Sequence, residues 1–452
     1  MNRLKLIAFV LMALWMGTTT CACSSGGDSD GKTEQKPDQK PDQKPDQKPD
    51  EGSEETPEPK PEAIPGPSAN RKPGIDATSP ATVAKSLGLG WNLGNQFDAH
   101  NNGDPSETAW GNPVVTQTAI KAVAKAGFTT IRIPVTWINK VGPAPDYQID
   151  AAWLNRVAEV VYYAESEGMN VILNIHHDGA DSKYWLNIKD AATDEKVNEA
   201  VKAQLGAMWT QIAEKFKNKG NFLVFEAMNE IHDGGWGWGT NREDGGKQYQ
   251  TLNEWNQLFV DAVRAVGGEN ATRYLGVPGY CTNPDLTMEH LVLPVDPANR
   301  LMVSVHCYDP YTYTLECKFS QWGHTAAAGK KESWGDENHF KTLFGKLKST
   351  YIDKGIPVYI GEIGCVHRSN AADEAFRLYY LEYVCTAART FQLAPVYWDN
   401  GSKSAGRECS GLFDRASGAF FNNAEEVVNA MRRGVYGEGA DYSLDAVYKK
   451  AP

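Results

Sequence analysis

From residue 80 onward, short apolar runs that end in polar residues alternate with longer segments whose apolar positions recur at every third or fourth residue. The short runs are Gly88 to Asn95, Thr130 to Thr136, Asn170 to His176, Phe222 to Met228, Tyr274 to Pro278, Met302 to His306, Pro357 to Ile363 and Pro395 to Trp398. Runs of this length, bounded by turn residues, predict strands covered on both faces. The longer segments include Val115 to Ala126, Ala152 to Glu167, Val197 to Lys217 and Leu252 to Val266, and their period predicts helices with one buried stripe. Strands separated by single crossover helices must pair in parallel, and eight of them close on themselves. The pattern therefore predicts an α/β chain folded as a (β/α)8 TIM barrel with long loops. The rival is an open doubly wound sheet, which normally carries a glycine-rich phosphate turn leading into a helix. Here Gly88-Leu89-Gly90-Trp91-Asn92-Leu93-Gly94 contains a bulky Trp, and no helical period follows it.

The first 74 residues follow another pattern. Arg3 and Lys5 precede an apolar run from Leu6 to Met16, too short to span a bilayer and suited to the core of a secretion signal. Small and polar residues follow, with Cys21 and Cys23 ahead of Ser24-Ser25-Gly26-Gly27-Asp28. Gln35-Lys36-Pro37-Asp38 then repeats from Gln39, Gln43 and Gln47, and a Glu- and Pro-rich stretch continues to about Pro73. With nothing apolar to bury, this is a hydrated tether, and roughly 50 residues at ~3.1 Å each reach on the order of 150 Å. The organisation expected is a signal over 1–23, a disordered tether over 24–74, a catalytic barrel over 75–436 and a C-terminal tail over 437–452.

Charge and composition narrow the possible partners. The net charge of -12, from 45 basic and 57 acidic side chains, argues against nucleic acid, because no excess of Lys and Arg is present to hold phosphates. Residues 1–74 hold 10 basic and 12 acidic groups, which leaves 35 and 45 for 75–452, so the acidity belongs to the barrel. Thirteen Trp and nineteen Tyr are a high density: most are expected in the core, and some on a binding surface.

The chemistry concentrates where the strands end, which in such a barrel is the active face. Those ends carry Asn95, Arg132, His176 with His177 and Asp178, Asn229 with Glu230, His306 with Tyr308, Glu362, and Trp398 with Asp399 and Asn400. Glu230 ends the fourth run and Glu362 the seventh, on opposite sides of the barrel mouth. Two carboxyls aimed at one point are what glycosidic cleavage needs, one protonated to release the leaving oxygen and one ionised to attack the anomeric carbon. A separation of about 5–5.5 Å implies retention, and about 6.5–9.5 Å implies inversion.

The stretch from about Gly88 to Asn400 resembles glycoside hydrolase family 5, of clan A. The motifs that carry the resemblance are Gly90-Trp91-Asn92-Leu93-Gly94-Asn95, Ile131-Arg132-Ile133-Pro134-Val135-Thr136-Trp137, Ile175-His176-His177-Asp178, Met228-Asn229-Glu230, Val305-His306-Cys307-Tyr308, Ile360-Gly361-Glu362 and Tyr397-Trp398-Asp399-Asn400-Gly401. The resemblance implies that Glu230 is the acid/base and Glu362 the nucleophile of a retaining mechanism. By the same resemblance Asn229 bonds the sugar 2-hydroxyl, Arg132 and Tyr308 keep the nucleophile ionised, His306 bonds the acid/base or the sugar, and Trp398 floors the -1 subsite. Glu107-Thr108-Ala109-Trp110-Gly111-Asn112-Pro113, the His176-His177 pair and Trp398-Asp399-Asn400-Gly401 resemble subfamily 4, whose members cleave β-1,4-glucans, including xyloglucan and mixed-linkage glucan. One departure is visible. Where the family often has Asn-Glu-Pro, Glu230 is followed by Ile231, His232 and Asp233. The signal segment likewise resembles a bacterial lipobox, in which Cys23, after Ala22, fits better than Cys21 as the acylated residue.

Asn95, His176 and His177 are expected to bind substrate. Neighbouring residues of a strand point to opposite faces, so the two histidines are not expected to chelate one ion, and neither metal nor cofactor is expected. Trp110, Trp185, Trp236, Trp238, Trp322 and Trp334 fall in loops, with Trp236 and Trp238 the strongest candidates for a sugar platform because they follow Glu230; loop packing is expected to absorb about half of the six. Cys281, Cys307, Cys317, Cys365, Cys385 and Cys409 permit disulfides in an exported chain, although a barrel of this size does not need them. Cys307 is expected to pack away from the cleft. The resulting expectation is a monomeric endo-β-1,4-glucanase acting on β-glucan, tethered through a lipid anchor to the outer membrane and facing outside or into the periplasm. An endo-β-1,4-mannanase is the rival within enzymes, and a noncatalytic glycan-binding lipoprotein the rival of another class.

Overall fold

The computed structural model describes residues 64–67 and 72–452. The signal segment, Cys23 and the repeats of the tether lie outside the described residues. The strands are β1 Gly90–Leu93, β2 Thr130–Ile133, β3 Asn170–Asn174, β4 Leu223–Glu226, β5 Leu275–Pro278, β6 Leu301–Cys307, β7 Val358–Ile363 and β8 Ala394–Asp399. Each pairs in parallel with the next in chain order and β8 returns to β1, so the barrel is closed and the open-sheet alternative is excluded. Every strand falls on one of the apolar runs.

A helix precedes the barrel, α1 Pro80–Leu87, and one main helix follows each strand: α2 Gln117–Lys125, α3 Ala151–Ser166, α4 Glu195–Lys215, α5 Lys247–Val266, α6 Pro284–His290, α7 Glu337–Thr350, α8 Ala371–Thr390 and α9 Ala424–Tyr436. Thr116, Asp150 and Asn370 cap α2, α3 and α8 by accepting a backbone N–H from the first turn. α5 begins at Lys247, ahead of the expected Leu252, after Gly246 in the left-handed conformation and with no side-chain cap. The segment after α9 is folded too: Val447 is buried, and the Tyr448 ring stacks on His324 at 3.9 Å.

Alternation along each strand separates two interiors. Ile131, Ile133, Val171, Leu173, Leu223 and Phe225 face the helices. Ile172, Val224, Met302, Tyr359 and Val396 face inward and meet Ile75, Val83 and Leu87, so α1 closes the barrel at the N-terminal ends of the strands. Asn170 holds that floor in place by accepting from Gly74 N at 2.9 Å and donating to Ser86 O at 2.8 Å. Two residues further along β3, β4 and β6 the inward positions become polar, with Asn174, Glu226 and Ser304, and Asn92 of β1 and Arg132 of β2 join them, all fully buried. The apolar floor thus gives way to a charged layer beneath the mouth. The six cysteines past the signal are free thiols; Cys281, Cys307, Cys365 and Cys385 are buried, and Cys307 belongs to the helix-facing core as expected.

Candidate active site

Glu230 and Glu362 meet at the C-terminal ends of the strands. An oxygen of each, together with one nitrogen of His306, forms a group in which all three atoms lie within 4.8 Å of one another. Glu362 reaches this position through a bulge. Val305 of β6 pairs with Ile360 and the next residue, His306, pairs with Glu362, while β8 shows the same extra residue in β7. Without it Glu362 would point to the side opposite Tyr359's second neighbour Gly361, away from the mouth; the bulge re-aims it inward. Gly361 is needed there because a Cβ would lie 3.0 Å from His306 Nε2 and 3.2 Å from Ser304 Oγ.

Glu362 is 6 % exposed and accepts from Arg132 Nη1 and Tyr308 Oη, each at 2.8 Å. Glu230, whose side chain is 20 % exposed, has His306 Nδ1 at 2.7 Å. Burial raises the pKa of both carboxyls. For Glu362 burial is the largest cause and the Glu230 charge adds to it, while His306, Arg132 and Tyr308 act in the opposite direction, toward the anion. For Glu230 the opposition comes from His232, Arg132 and His177 through space. With two direct donors, Glu362 is the better stabilised anion and Glu230 the better proton holder. Burial also pushes His306 down to about 4, so its ring is neutral at working pH.

Asn229 Oδ1 accepts from Arg132 Nη2 at 2.9 Å, which leaves its amide N–H groups without a partner among the described residues. Trp398 lies flat beside His176, with ring planes 7° apart and centroids 5.8 Å apart. The expectation that His176 and His177 point to opposite faces fails. β3 ends at Asn174, strand alternation stops with it, and the two rings lie 4.5 Å apart. One ligand atom each from Asp98, His176 and His177 cluster within 4.8 Å. These groups are engaged with the protein: Asp98 accepts from the backbone of Asn95 and Gln96, His177 Nδ1 meets Asp98 O at 3.0 Å, and His176 Nδ1 meets Asn174 Nδ2 at 3.1 Å. Asn95 sits in the turn after β1 with its carbonyl bonded by Asn112, and it is Asn92 that reaches the charged layer.

The loop tryptophans divide. Trp236 and Trp238 are 57 % and 74 % exposed; the first leans on His232 at 4.3 Å, and the second is covered on one face by Arg242 at 4.6 Å. Trp110 is exposed and tilts against His177 at 5.5 Å, and Trp334 is exposed beside His339. Trp185 donates to the buried Asp178 at 2.7 Å. Trp322 is no platform: it is 2 % exposed and packed among Phe340, Tyr379, Tyr380 and Tyr383, so apolar burial claims it.

Sequence reasoning passed over Glu226, Asn92, Asn174 and Ser304. A signal existed, since a carboxylate inside the apolar run Phe222 to Met228 must find a buried cation, and Arg132 inside Ile131-Arg132-Ile133 has the matching need.

The family model for Cellulase (glycosyl hydrolase family 5) matches residues 94–404. The chain belongs to this family. Among curated relatives, endoglucanase A of Paenibacillus barcinonensis is 37% identical over 376 residues, covering 78% of this chain and 90% of that protein. The xyloglucan-specific endo-β-1,4-glucanase of Bacteroides ovatus is 34% identical over 367 residues, covering 76% and 68%. Among solved structures, the GH5-4 broad specificity endoglucanase from Bacteroides salanitronis superposes with a TM-score of 0.80 at 62% identity, covering 82% of this chain and 99% of that one. The family-5 match spans every strand end described above except that of β1, where it begins at Gly94.

Proposed function

We propose that this chain is a retaining endo-β-1,4-glucanase of the cellulase type, with Glu230 as acid/base and Glu362 as nucleophile. The observation that carries the reading is the closeness of the two carboxyls, with oxygens within 4.8 Å. An approach of this kind fits the about 5–5.5 Å of retaining pairs better than the about 6.5–9.5 Å at which inverting enzymes place a water between the carboxyls. In the first step Glu362 bonds to the anomeric carbon as the bond to the leaving sugar breaks, and the Glu230 proton passes to the leaving oxygen. In the second, Glu230 as carboxylate takes a proton from water, the water oxygen bonds to the anomeric carbon, and Glu362 is released. Asn229 offers its amide to the 2-hydroxyl, Trp398 floors the -1 subsite, and Trp236 and Trp238 present faces to the sugars beyond.

The substrate is β-1,4-linked glucan, linear, mixed-linkage or xylosylated. The relatives named above as endoglucanase, broad specificity endoglucanase and xyloglucan-specific glucanase support this. Hydrolysis rates on cellulose-like glucan, mixed-linkage glucan, xyloglucan and mannan test it, with the product anomer followed by NMR. β-Anomeric product with glucans favoured over mannan is expected; faster mannan cleavage or α-product overturns the reading. The reading includes export and acylation at Cys23, supported by the apolar run and the tether. Incorporation of a labelled fatty acid that is lost in Cys23→Ala is the expected result, and unchanged labelling in that variant overturns it.

A further inference from the structure

The Arg132 guanidinium has five N–H bonds, and five acceptor contacts meet them. Nε donates to Glu226 Oε2 at 2.7 Å, Nη1 to Glu362 Oε1 at 2.8 Å and Asn92 Oδ1 at 3.0 Å, and Nη2 to Asn229 Oδ1 at 2.9 Å and Glu226 Oε1 at 3.4 Å. Neither Arg132 nor Glu226 has any exposed surface. Glu226 is itself fixed, accepting from Ser304 Oγ at 2.8 Å and Asn174 Nδ2 at 3.4 Å. One edge of the cation is therefore clamped by a carboxylate sealed inside the barrel, and the other two directions are delivered to Glu362 and Asn229.

We propose that Glu226 is a positioning residue for the hydrolysis: it fixes the plane of Arg132, so that one N–H meets Glu362 and another meets Asn229, and it shares a charge that would otherwise fall on Glu362 alone. The inference rests on the reading of Glu362 as nucleophile. A planar fork held along two N–H bonds cannot rotate without breaking both, whereas a single contact would let it swing. Sharing also tunes reactivity. A nucleophile facing an undivided cation would be a more stable, and so less reactive, anion. Displacing either group by about 1 Å costs up to about 10²-fold in rate, which sets the size of effect to look for.

The test uses Glu226→Gln and Glu226→Asp in the full chain, with folding checked by circular dichroism and rates expressed per folded site. The groups facing Glu362 are Arg132 from β2, His306 of β6, Tyr308 just past β6 and Glu230 past β4; those facing Glu226 are Arg132, His306, Tyr359 of β7 and Glu230, whose carboxyl the Glu226 charge raises. None is altered by either substitution. In E226Q, kcat is expected to fall at least about tenfold with KM within about twofold. The acid limb of kcat/KM should move to lower pH, because Arg132 then favours the Glu362 anion undivided. E226D keeps the charge and should keep the acid limb of the wild type, with a smaller loss of kcat. If E226Q does not fold, E226D alone decides: a kcat lowered at least about threefold at unchanged KM supports the proposal. A kcat within about twofold of wild type in the folded variant, or an unmoved acid limb in folded E226Q, overturns it. Wild-type protein that fails to cleave any β-glucan would instead refute the functional reading.

Discussion

The Nδ1 atom of His306 lies 2.7 Å from Oε1 of Glu230, and 3.6 Å from Oε1 of Glu362. One ring nitrogen thus faces both carboxyls, while Nε2 is buried without a partner among the described residues. Two acceptors on one side place the proton of the neutral ring on Nδ1, as a donor to Glu230. Replacing His306 with Ala removes that donor from the Glu230 anion, so Glu230 keeps its proton to higher pH. The basic limb of kcat/KM is expected to move up, with kcat lowered by about 10²-fold. A pH profile of the variant checks both.

Glu362→Ala should abolish turnover, with kcat lowered by at least about 10³-fold. Added azide should restore cleavage, because a small anion fits where the carboxylate stood, and it should give the glycosyl azide of inverted configuration. NMR of the product reads the anomer. Undiminished activity would remove Glu362 from the mechanism.

Trp236 and Trp238 offer a graded comparison. Both are exposed, but Arg242 already occupies one face of Trp238. Trp236→Ala is expected to lower kcat/KM on long oligosaccharides about tenfold, and Trp238→Ala by less, while the shortest cleavable substrates lose little from either change. A chain-length series of kcat/KM values separates the two.

Trp322→Ala leaves a large void among Phe340, Tyr379, Tyr380 and Tyr383. The expected cost is about 3–5 kcal/mol of stability, measured by denaturant unfolding, with kinetic constants per folded molecule unchanged. A specific loss of substrate affinity would mean that this ring reaches the cleft after all.

The strands were legible because a barrel strand is buried on both faces, and a doubly buried strand leaves an apolar run such as Pro357 to Ile363. Strand-end polar residues then marked the mouth. What the runs concealed was register. The extra residue in β7 that turns Glu362 inward is invisible in a run that reads as continuous, and although a lone carboxylate at Glu226 signals a buried cation, the run does not show whether it faces the helices or the barrel axis. His176 and His177 were misjudged for a related reason: a run carries no sign of where regular pairing stops, and here it stops at Asn174. Trp322 shows a third limit, since a ring in a loop is read as exposed until the helices beneath that loop, α7 and α8, are seen to enclose it.

The floor formed by Ile75 and α1 has a practical corollary. The described chain joins the barrel at the end remote from Glu230 and Glu362, so a handle attached ahead of Lys72 would hold the protein by its underside. Coupled to a bead or a surface through such a handle, the protein would present its open end outward, which is the orientation required when the polymer is insoluble and must come to the mouth from solution.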